Sequence, residues 1–159
     1  MFSLSISISA FKSGTFVSKF PFPIFSEAVI KNVEDGDIIW VHDYQLLLCP
    51  KMIRDVNPNV TIGFFLHIPF PSFEIFRIFP WREELLQGIL GADQIGFHTY
   101  DYERHFLSSV KRILKNDVDF NRIGLGSRKV VVDTFNTFKD NNFSVCSFFR
   151  TFIHYHNNV

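Results

Sequence analysis

Two short apolar runs constrain the fold of this chain more than any other feature of its sequence. They cover residues 38–41 and 60–66, and each is followed at once by a histidine, His42 or His67. Runs of this length, rich in β-branched and aromatic side chains and bounded by turn residues, are typical of strands buried on both faces. Residues 46–56 are long enough for a helix. Strand, helix and strand in about thirty residues predict the βαβ unit of a parallel sheet.

Helices and strands alternate through the rest of the middle of the chain. The further predicted elements are helices capped by Ser26, Ser72 and Thr99, a helix from Trp81, and strands over residues 93–97 and 129–133. This order predicts an α/β layered domain with a parallel sheet and right-handed crossovers.

The two ends of the chain differ in composition from the middle. Phenylalanine occurs 21 times, and more than half of these residues fall in the first and last 25 positions. We therefore divide the chain into a divergent Phe- and Ser-rich leader (1–25), a partial α/β domain (26–135) and a divergent Phe- and Asn-rich tail (136–159). A secretory signal is disfavoured because no positive charge precedes the apolar part of the leader and no small-residue cleavage site follows it.

Charge and cysteine content argue against several classes of function. Sixteen basic residues balance sixteen acidic ones, which gives no argument for a nucleic acid or an anionic membrane as partner. Two cysteines are too few for a disulfide framework, and Cys49, among leucines, is expected to be a small buried apolar group. No apolar run approaches the roughly eighteen residues that cross a bilayer. We expect a soluble, cytoplasmic protein without a nucleic-acid or membrane partner.

Three predicted strands end in a histidine, so His42, His67 and His98 are expected at one edge of the sheet. With Asp43 they offer a possible metal site, but the closely spaced histidine pairs that make such a prediction specific do not occur, and we predict none. Strand alternation directs His42 away from Asp43, and neighbouring backbone groups are the expected partners of His42 and His98. Because ligands bind beyond the carboxyl ends of parallel strands, Asp43 and His67 are the candidate binding residues. The rigid Pro-Phe-Pro turn after His67 would hold its imidazole in place.

Two weaker signals are interpreted as structural. Residues 124–129 vaguely resemble a phosphate loop, but they precede a strand instead of joining a strand to a helix, which predicts a turn. Glu83 and Glu84 fall on the wet side of an amphipathic helix and are expected to be solvated. No GxSxG, CxxC or GxGxxG motif occurs, so nothing indicates covalent catalysis.

Five motifs follow one another in the middle of the chain. They are Trp40-Val-His-Asp-Tyr-Gln-Leu, Gly63-Phe-Phe-Leu-His-Ile-Pro-Phe-Pro-Ser, Phe79-Pro-Trp-Arg-Glu-Glu-Leu-Leu, Ala92-Asp-Gln-Ile-Gly-Phe-His-Thr-Tyr-Asp-Tyr and Arg104-His-Phe. With the valine-rich last strand, they resemble the trehalose-6-phosphate synthases, a family of retaining glycosyltransferases. The resemblance covers about residues 37–135 and is greatest to synthases of bifunctional synthase–phosphatase proteins.

The resemblance implies a fold, a reaction and roles for two residues. The family has two Rossmann-like domains (the GT-B fold), and this chain would form part of the N-terminal one, a Rossmann-like parallel sheet with flanking helices, with the second domain absent. Family members transfer glucose from UDP-glucose to glucose 6-phosphate, giving α,α-trehalose 6-phosphate and UDP, without a metal or other cofactor. By resemblance, Asp43 would hydrogen-bond the acceptor sugar, and His67 would be the catalytic contact to the transferred glucose near its anomeric carbon.

Parts of the family pattern do not occur in this sequence. The family's phosphate-contacting glycine loop is not recognisable in residues 1–25, and Asn136-Thr-Phe-Lys stands where the family continues with Pro-x-Gly-Ile-Asp. We therefore expect a fragment of an α,α-trehalose-phosphate synthase (UDP-forming), a hexosyltransferase, with little or no activity in isolation. Two alternatives remain open: a non-catalytic regulatory or binding subunit associated with a full-length synthase, and a truncated gene product.

Overall fold

A computed structural model describes residues 22–34 and 36–135 as a sheet flanked by helices. The strands are β1 (Ile38–His42), β2 (Thr61–Leu66), β3 (Gln94–Phe97), β4 (Val118–Asp119), β5 (Arg122–Leu125) and β6 (Arg128–Thr134). The helices are α1 (Phe22–Asn32), α2 (Cys49–Val56), α3 (Phe73–Phe76), α4 (Arg82–Ile89) and α5 (Tyr100–Ser109), which continues as a π-helical segment, Val110–Leu114. No helix within these ranges has the length and apolar character that crossing a membrane requires.

The six strands form one sheet in the order β1-β2-β3-β6-β5-β4. Strands β1, β2, β3 and β6 are parallel, which confirms the predicted α/β fold. Strands β5 and β4 extend the sheet in the antiparallel direction, and this hairpin was not predicted. Residues 124–129 contain the expected turn, with Gly126 at a φ of +64° between β5 and β6. The strands before that turn gave little periodic signal because Ile123 is the one fully buried side chain among them.

The hydrophobic core lies on one face of the sheet, beneath α2, α4 and α5. The parallel strands follow one another across the sheet in the order β1-β2-β3-β6. Because each connection runs in the same direction and is right-handed, all three helices lie on the same face. The strand side chains that enter this core without residual exposure are Ile62, Phe64, Ile95, Phe97, Ile123, Val130 and Val132. Burial of each such side chain contributes about 1.5–3 kcal/mol. The strand residues that alternate with these, including Trp40 and Phe65, point to the opposite face of the sheet. The histidines at the strand ends lie on that same face.

The helix boundaries correct several details of the sequence analysis. Helix α1 begins at Phe22, so the prediction that Ser26 caps it is wrong: Ser26 is buried inside the helix, and its hydroxyl donates to Met52 Sδ at 3.8 Å. Pro23 lies in the first turn, where a missing N–H is tolerated. Ser72 and Thr99 do precede α3 and α5, but neither side chain makes a capping hydrogen bond.

The predicted leader and tail lie outside the described residues, apart from residues 22–25 in α1. The division of the chain at residues 25 and 135 therefore stays a prediction.

A buried ion network joins the strands at the edge opposite the histidines. Asp93, just before β3, bonds Arg54 Nη2 at 2.6 Å and Arg128 Nη1 at 3.3 Å, and also accepts from the Ile62 backbone N–H at 2.8 Å. Arg54 donates further to the Val60 carbonyl at 2.5 Å. The network thus ties α2 to the amino-terminal ends of β2, β3 and β6, and it fixes their relative height.

Candidate functional site

Three histidines lie side by side where β1, β2 and β3 end. The ring centres of His42 and His67 are 5.2 Å apart, and those of His67 and His98 are 5.4 Å apart. In the strand register, His42 pairs with Phe65 and Leu66 pairs with Phe97. The three strands therefore end at nearly the same height, and the histidines at their ends are neighbours. The structure thus confirms that these three residues share the carboxyl edge of the parallel sheet. We call this group, with Asp43, the histidine rim.

Two aromatic residues that the sequence analysis did not assign to the site support the histidine rim. Phe65 is 3% exposed, and its ring centre lies 4.7 Å from that of His67 and 5.0 Å from that of His98. The Trp40 ring centre lies 5.3 Å from that of His42. Each aromatic residue precedes its histidine by two positions, Trp40 within β1 and Phe65 at the end of β2, so both project from the same face. That two-residue spacing was a signal in the sequence.

A chain of nitrogen contacts joins Trp40, His42 and His67. Trp40 Nε1 donates to His42 Nδ1 at 3.3 Å, and His42 Nδ1 lies 2.9 Å from His67 Nε2. The expected partner of His42 was a backbone group, whereas these partners are side chains. Neighbouring strands of a sheet bring residues 25 positions apart into contact, and the position of a single strand end in the sequence does not reveal its neighbour.

The environment of the histidine rim keeps His42 uncharged at neutral pH. Burial and, to a smaller extent, repulsion from His67 lower the pKa of His42 to about 4, although the Asp43 carboxylate acts in the opposite direction. The pKa of His98 is also lowered, first by burial and then by His67, again against Asp43. The Asp43 carboxylate therefore lies within electrostatic reach of the histidines on both sides of His67.

Asp43 has a backbone conformation that L-amino acids rarely adopt. Its φ is +69° and its ψ is 171°, a region occupied almost entirely by glycine. The conformation is held from both sides: Asp43 N donates to the Phe65 carbonyl at 2.8 Å, and Leu46 N donates to the Asp43 carbonyl at 3.1 Å. Such strain costs about 1–3 kcal/mol and is concentrated at functional sites. It therefore adds an independent reason to assign Asp43 a function.

The carboxylate of Asp43 is only partly engaged. Oδ1 accepts from the Tyr44 backbone N–H at 2.9 Å and caps the short 3-10 turn Tyr44–Leu46. Oδ2 makes no hydrogen bond to any of the residues that the structure describes. The carboxylate thus has acceptor capacity for a polar ligand at the edge of the sheet.

The loop after His67 is anchored by one buried residue. Phe70 is 4% exposed, and its ring packs against those of Phe76 at 4.9 Å and Phe106 at 5.3 Å. Its carbonyl also lies 3.3 Å from His105 Nδ1. These contacts fix the Pro-Phe-Pro turn, while His67 itself stays exposed at its start. The imidazole is therefore both accessible and held in place.

The other candidate residues have structural surroundings. Glu83 and Glu84 are exposed, as predicted. Cys49 is 2% exposed, and burial raises the pKa of its thiol to about 11, so it is not a nucleophile at neutral pH. In the described ranges, no group of three or more His, Cys, Asp or Glu residues is arranged to hold a metal.

Two open grooves among the described residues lie away from the histidine rim. A groove of about 510 Å³ runs between α5 and the β4–β5 hairpin, with Tyr100, Glu103 and Phe120 among its lining residues. A second, of about 360 Å³, is lined by Phe73, Arg112 and neighbouring residues. We assign function to the histidine rim because strained backbone, adjacent imidazoles and a carboxylate oxygen without a hydrogen-bond partner among the described residues meet there.

Comparison with known proteins places these residues in a family context. The family model for glycosyltransferase family 20 matches residues 22–139. An α,α-trehalose-phosphate synthase (UDP-forming) of Pichia angusta is 54% identical over 117 residues, which cover 70% of this chain and 25% of that protein.

Solved structures show the same fold. The N-terminal domain of a Candida albicans trehalose-6-phosphate phosphatase superposes with a TM-score of 0.69 at 43% identity, covering 70% of this chain and 24% of that one. A UDP-forming α,α-trehalose-phosphate synthase from Burkholderia xenovorans, in complex with glucose-6-phosphate, gives a TM-score of 0.63 at 26% identity, covering 70% and 26%. The chain thus spans about a quarter of the length of the relatives it matches.

Proposed function

Since the chain belongs to glycosyltransferase family 20, we propose that it contributes the acceptor-side half of the active site of a UDP-forming α,α-trehalose-phosphate synthase. The proposed reaction transfers glucose from UDP-glucose to glucose 6-phosphate and releases UDP. The observation that carries this proposal is the position of Asp43 and His67 at adjacent ends of parallel strands, in a chain 54% identical to such a synthase over the matched part.

Asp43 is proposed to hold the acceptor sugar. Its carboxylate has a free oxygen among the described residues, and its backbone is locked between Phe65 and Leu46. A fixed carboxylate accepts hydrogen bonds from sugar hydroxyls, and hydrogen bonds to a charged group contribute about 1.5–3 kcal/mol each. Glucose 6-phosphate is the proposed ligand, because the Burkholderia xenovorans synthase, which shares this fold, is described in complex with it.

His67 is proposed to contact the transferred glucose near its anomeric carbon. The side chain is exposed at the end of β2, next to the β1 end that carries Asp43, so one sugar at each residue would bring donor and acceptor together. Catalysis of this kind depends on positioning and on stabilisation of developing charge, without a covalent enzyme intermediate. Sugar phosphates and nucleotide sugars are intracellular metabolites, and a cytoplasmic location is part of the proposal.

Ligand titration tests the acceptor site directly. Amide and imidazole NMR signals of the 159-residue chain are followed while glucose 6-phosphate is added. We expect shifts confined to the histidine rim, abolished in Asp43→Asn and retained in the matched control Glu83→Gln, which alters an exposed carboxylate elsewhere. Shifts located in the α5 groove instead, or no shifts at millimolar ligand, would contradict the assignment.

An assay of UDP release tests the activity of the chain by itself. We expect little or no UDP from UDP-glucose and glucose 6-phosphate, because groups that act together lose most of their effect when separated. Release of UDP that disappears in Asp43→Asn would overturn that expectation and would establish transferase activity for these residues alone.

A second candidate function is that of a regulatory or binding subunit associated with a full-length synthase. The curated relatives of the chain are named as UDP-forming synthases, which does not favour this alternative. Co-purification of a tagged chain with a full-length synthase tests it, and a chain that remains alone at micromolar synthase concentration argues against it.

A further inference from the structure

The contacts among Trp40, His42 and His67 determine where their protons lie. The indole nitrogen of tryptophan is only a donor, and the Trp40 N–H points at His42 Nδ1 across 3.3 Å. A hydrogen on that Nδ1 would leave the indole N–H directed at a nitrogen with no lone pair to accept it. His42 Nδ1 must therefore present its lone pair, and the single hydrogen of the neutral ring lies on Nε2.

The same reasoning extends to His67. Its Nε2 lies 2.9 Å from His42 Nδ1, a hydrogen-bond distance. Two lone pairs at that separation would repel each other, so His67 Nε2 must carry a hydrogen and donate it. The one lone pair of His42 Nδ1 is then shared by two donors, and the 3.3 Å indole contact is the weaker of the two. In its neutral form, His67 then has Nδ1 as its only acceptor.

The ring geometry agrees with this hydrogen bond. The planes of His42 and His67 are inclined by 20°, and the ring centres are 5.2 Å apart. The separation of the centres exceeds that of the two nitrogens by about one ring width, as expected when two nearly coplanar rings meet edge to edge. An in-plane approach is the direction in which an imidazole lone pair accepts best.

We propose that Trp40 and His42 are positioning residues that hold the proton of His67 on Nε2 and so fix the tautomer that faces the substrate. The sequence motif Trp-Val-His-Asp thereby acts on His67, which lies 25 positions away from His42. As a consequence that rests on the proposed function, His67 offers a lone pair on Nδ1 to a sugar hydroxyl.

The charge state of His42 supports this arrangement. Its pKa is lowered to about 4, so the ring is neutral and can accept throughout the range in which a cytoplasmic enzyme works. The other titratable groups that act on it are His67, which lowers its pKa, and Asp43, which raises it. His98 shares the same edge, and its own pKa is lowered.

Nitrogen NMR of the full chain, without any sugar, tests the proposal. Protonated and unprotonated imidazole nitrogens give widely separated ¹⁵N chemical shifts, and an N–H···N hydrogen bond produces a scalar coupling between its two nitrogens. At pH 7 we expect His67 Nε2 to be protonated, His42 Nδ1 to be unprotonated, and a coupling between them. A proton on His42 Nδ1, or no coupling, would overturn the proposal.

Three variants and a control separate positioning from simple packing. In His42→Phe, His67 should lose its slowly exchanging Nε2 proton and show averaged ¹⁵N shifts. His42→Asn should restore the protonated Nε2, because the Asn Oδ1 stands in the same place along the side chain as Nδ1. Trp40→Phe should give averaged shifts for both histidines, whereas Trp81→Phe should change neither. His67 shifts that stay unchanged in Trp40→Phe would refute the role of the indole.

The outcome is independent of the proposed function. A disrupted hydrogen bond with intact glucose 6-phosphate binding refutes the positioning role alone. An intact hydrogen bond in a chain that does not bind the sugar phosphate refutes the proposed function alone.

Discussion

Replacement of Asp93 by asparagine should destabilise the fold by about 3 kcal/mol. The substitution keeps the size of the side chain and an oxygen for the Ile62 N–H, but it removes the charge that Arg54 and Arg128 share. The side chains of Asp93 and Arg54 are 15% and 12% exposed. Breaking a buried ion pair by removing one partner costs about 3–5 kcal/mol. We take the lower end because both arginines keep their carbonyl acceptors, including Val60 and Ala92.

Equilibrium unfolding in urea, followed by tryptophan fluorescence, measures this loss. With an m-value of about 1.5 kcal/mol/M, in the range usual for small domains, a loss of about 3 kcal/mol lowers the midpoint by about 2 M. The matched control is Asp55→Asn. Asp55 pairs with Lys51 one helical turn away, and the two side chains are 58% and 46% exposed. An exposed pair of this kind contributes about 0.3–0.5 kcal/mol.

Equal midpoints for the Asp93→Asn and Asp55→Asn variants would refute the reasoning, because they would mean that burial adds nothing to the ion network. A second measurement addresses location. The network lies at the edge of the sheet opposite His67, so folded Asp93→Asn protein should keep the His67 imidazole shifts of the parent chain.

Three further predictions concern single residues. Burial, assisted by Asp133, raises the pKa of Glu103 to about 7, so the folded state binds the proton more tightly and the free energy of unfolding falls as the pH rises from 4.5 through 7. In thermal unfolding, Glu103→Gln should therefore be more stable than the parent chain at pH 8 and similar to it at pH 4. Equal stability at pH 8 would contradict this. Asp43→Gly relieves the backbone strain that Asp43→Ala retains, so the glycine variant should be the more stable of the two by up to about 2 kcal/mol in urea unfolding; the reverse order would argue against strain. A Cβ added at Gly91 would lie 2.2 Å from Lys51 N. Gly91→Ala should therefore lower the free energy of unfolding by about 3 kcal/mol, because it forces α2 away from α4. An unchanged melting temperature would show that the helices separate freely.

Local patterns in the sequence were sufficient to predict most of the parallel core. The runs at residues 38–41 and 60–66 became β1 and β2. The second is buried on both faces, which requires apolar residues at every position, whereas β1 alternates between buried and partly buried residues. Helix ends were predicted less well. Ser26 has the residue type and the following acidic residue of a cap, but burial against Met52 placed it inside α1. The hairpin before β6 was missed because its short strands, largely exposed, have little hydrophobic periodicity.

The sequence by itself determined that three strands would end in histidine and that Asp43 would follow the first of them. It did so because strand length and alternation depend on residues that are neighbours along the chain. Only the tertiary structure decided that His42 and His67 share a hydrogen bond, that Asp93 lies between two arginines, and that the backbone of Asp43 is strained. Each of these features requires the register of adjacent strands, which is set by packing between segments far apart in sequence.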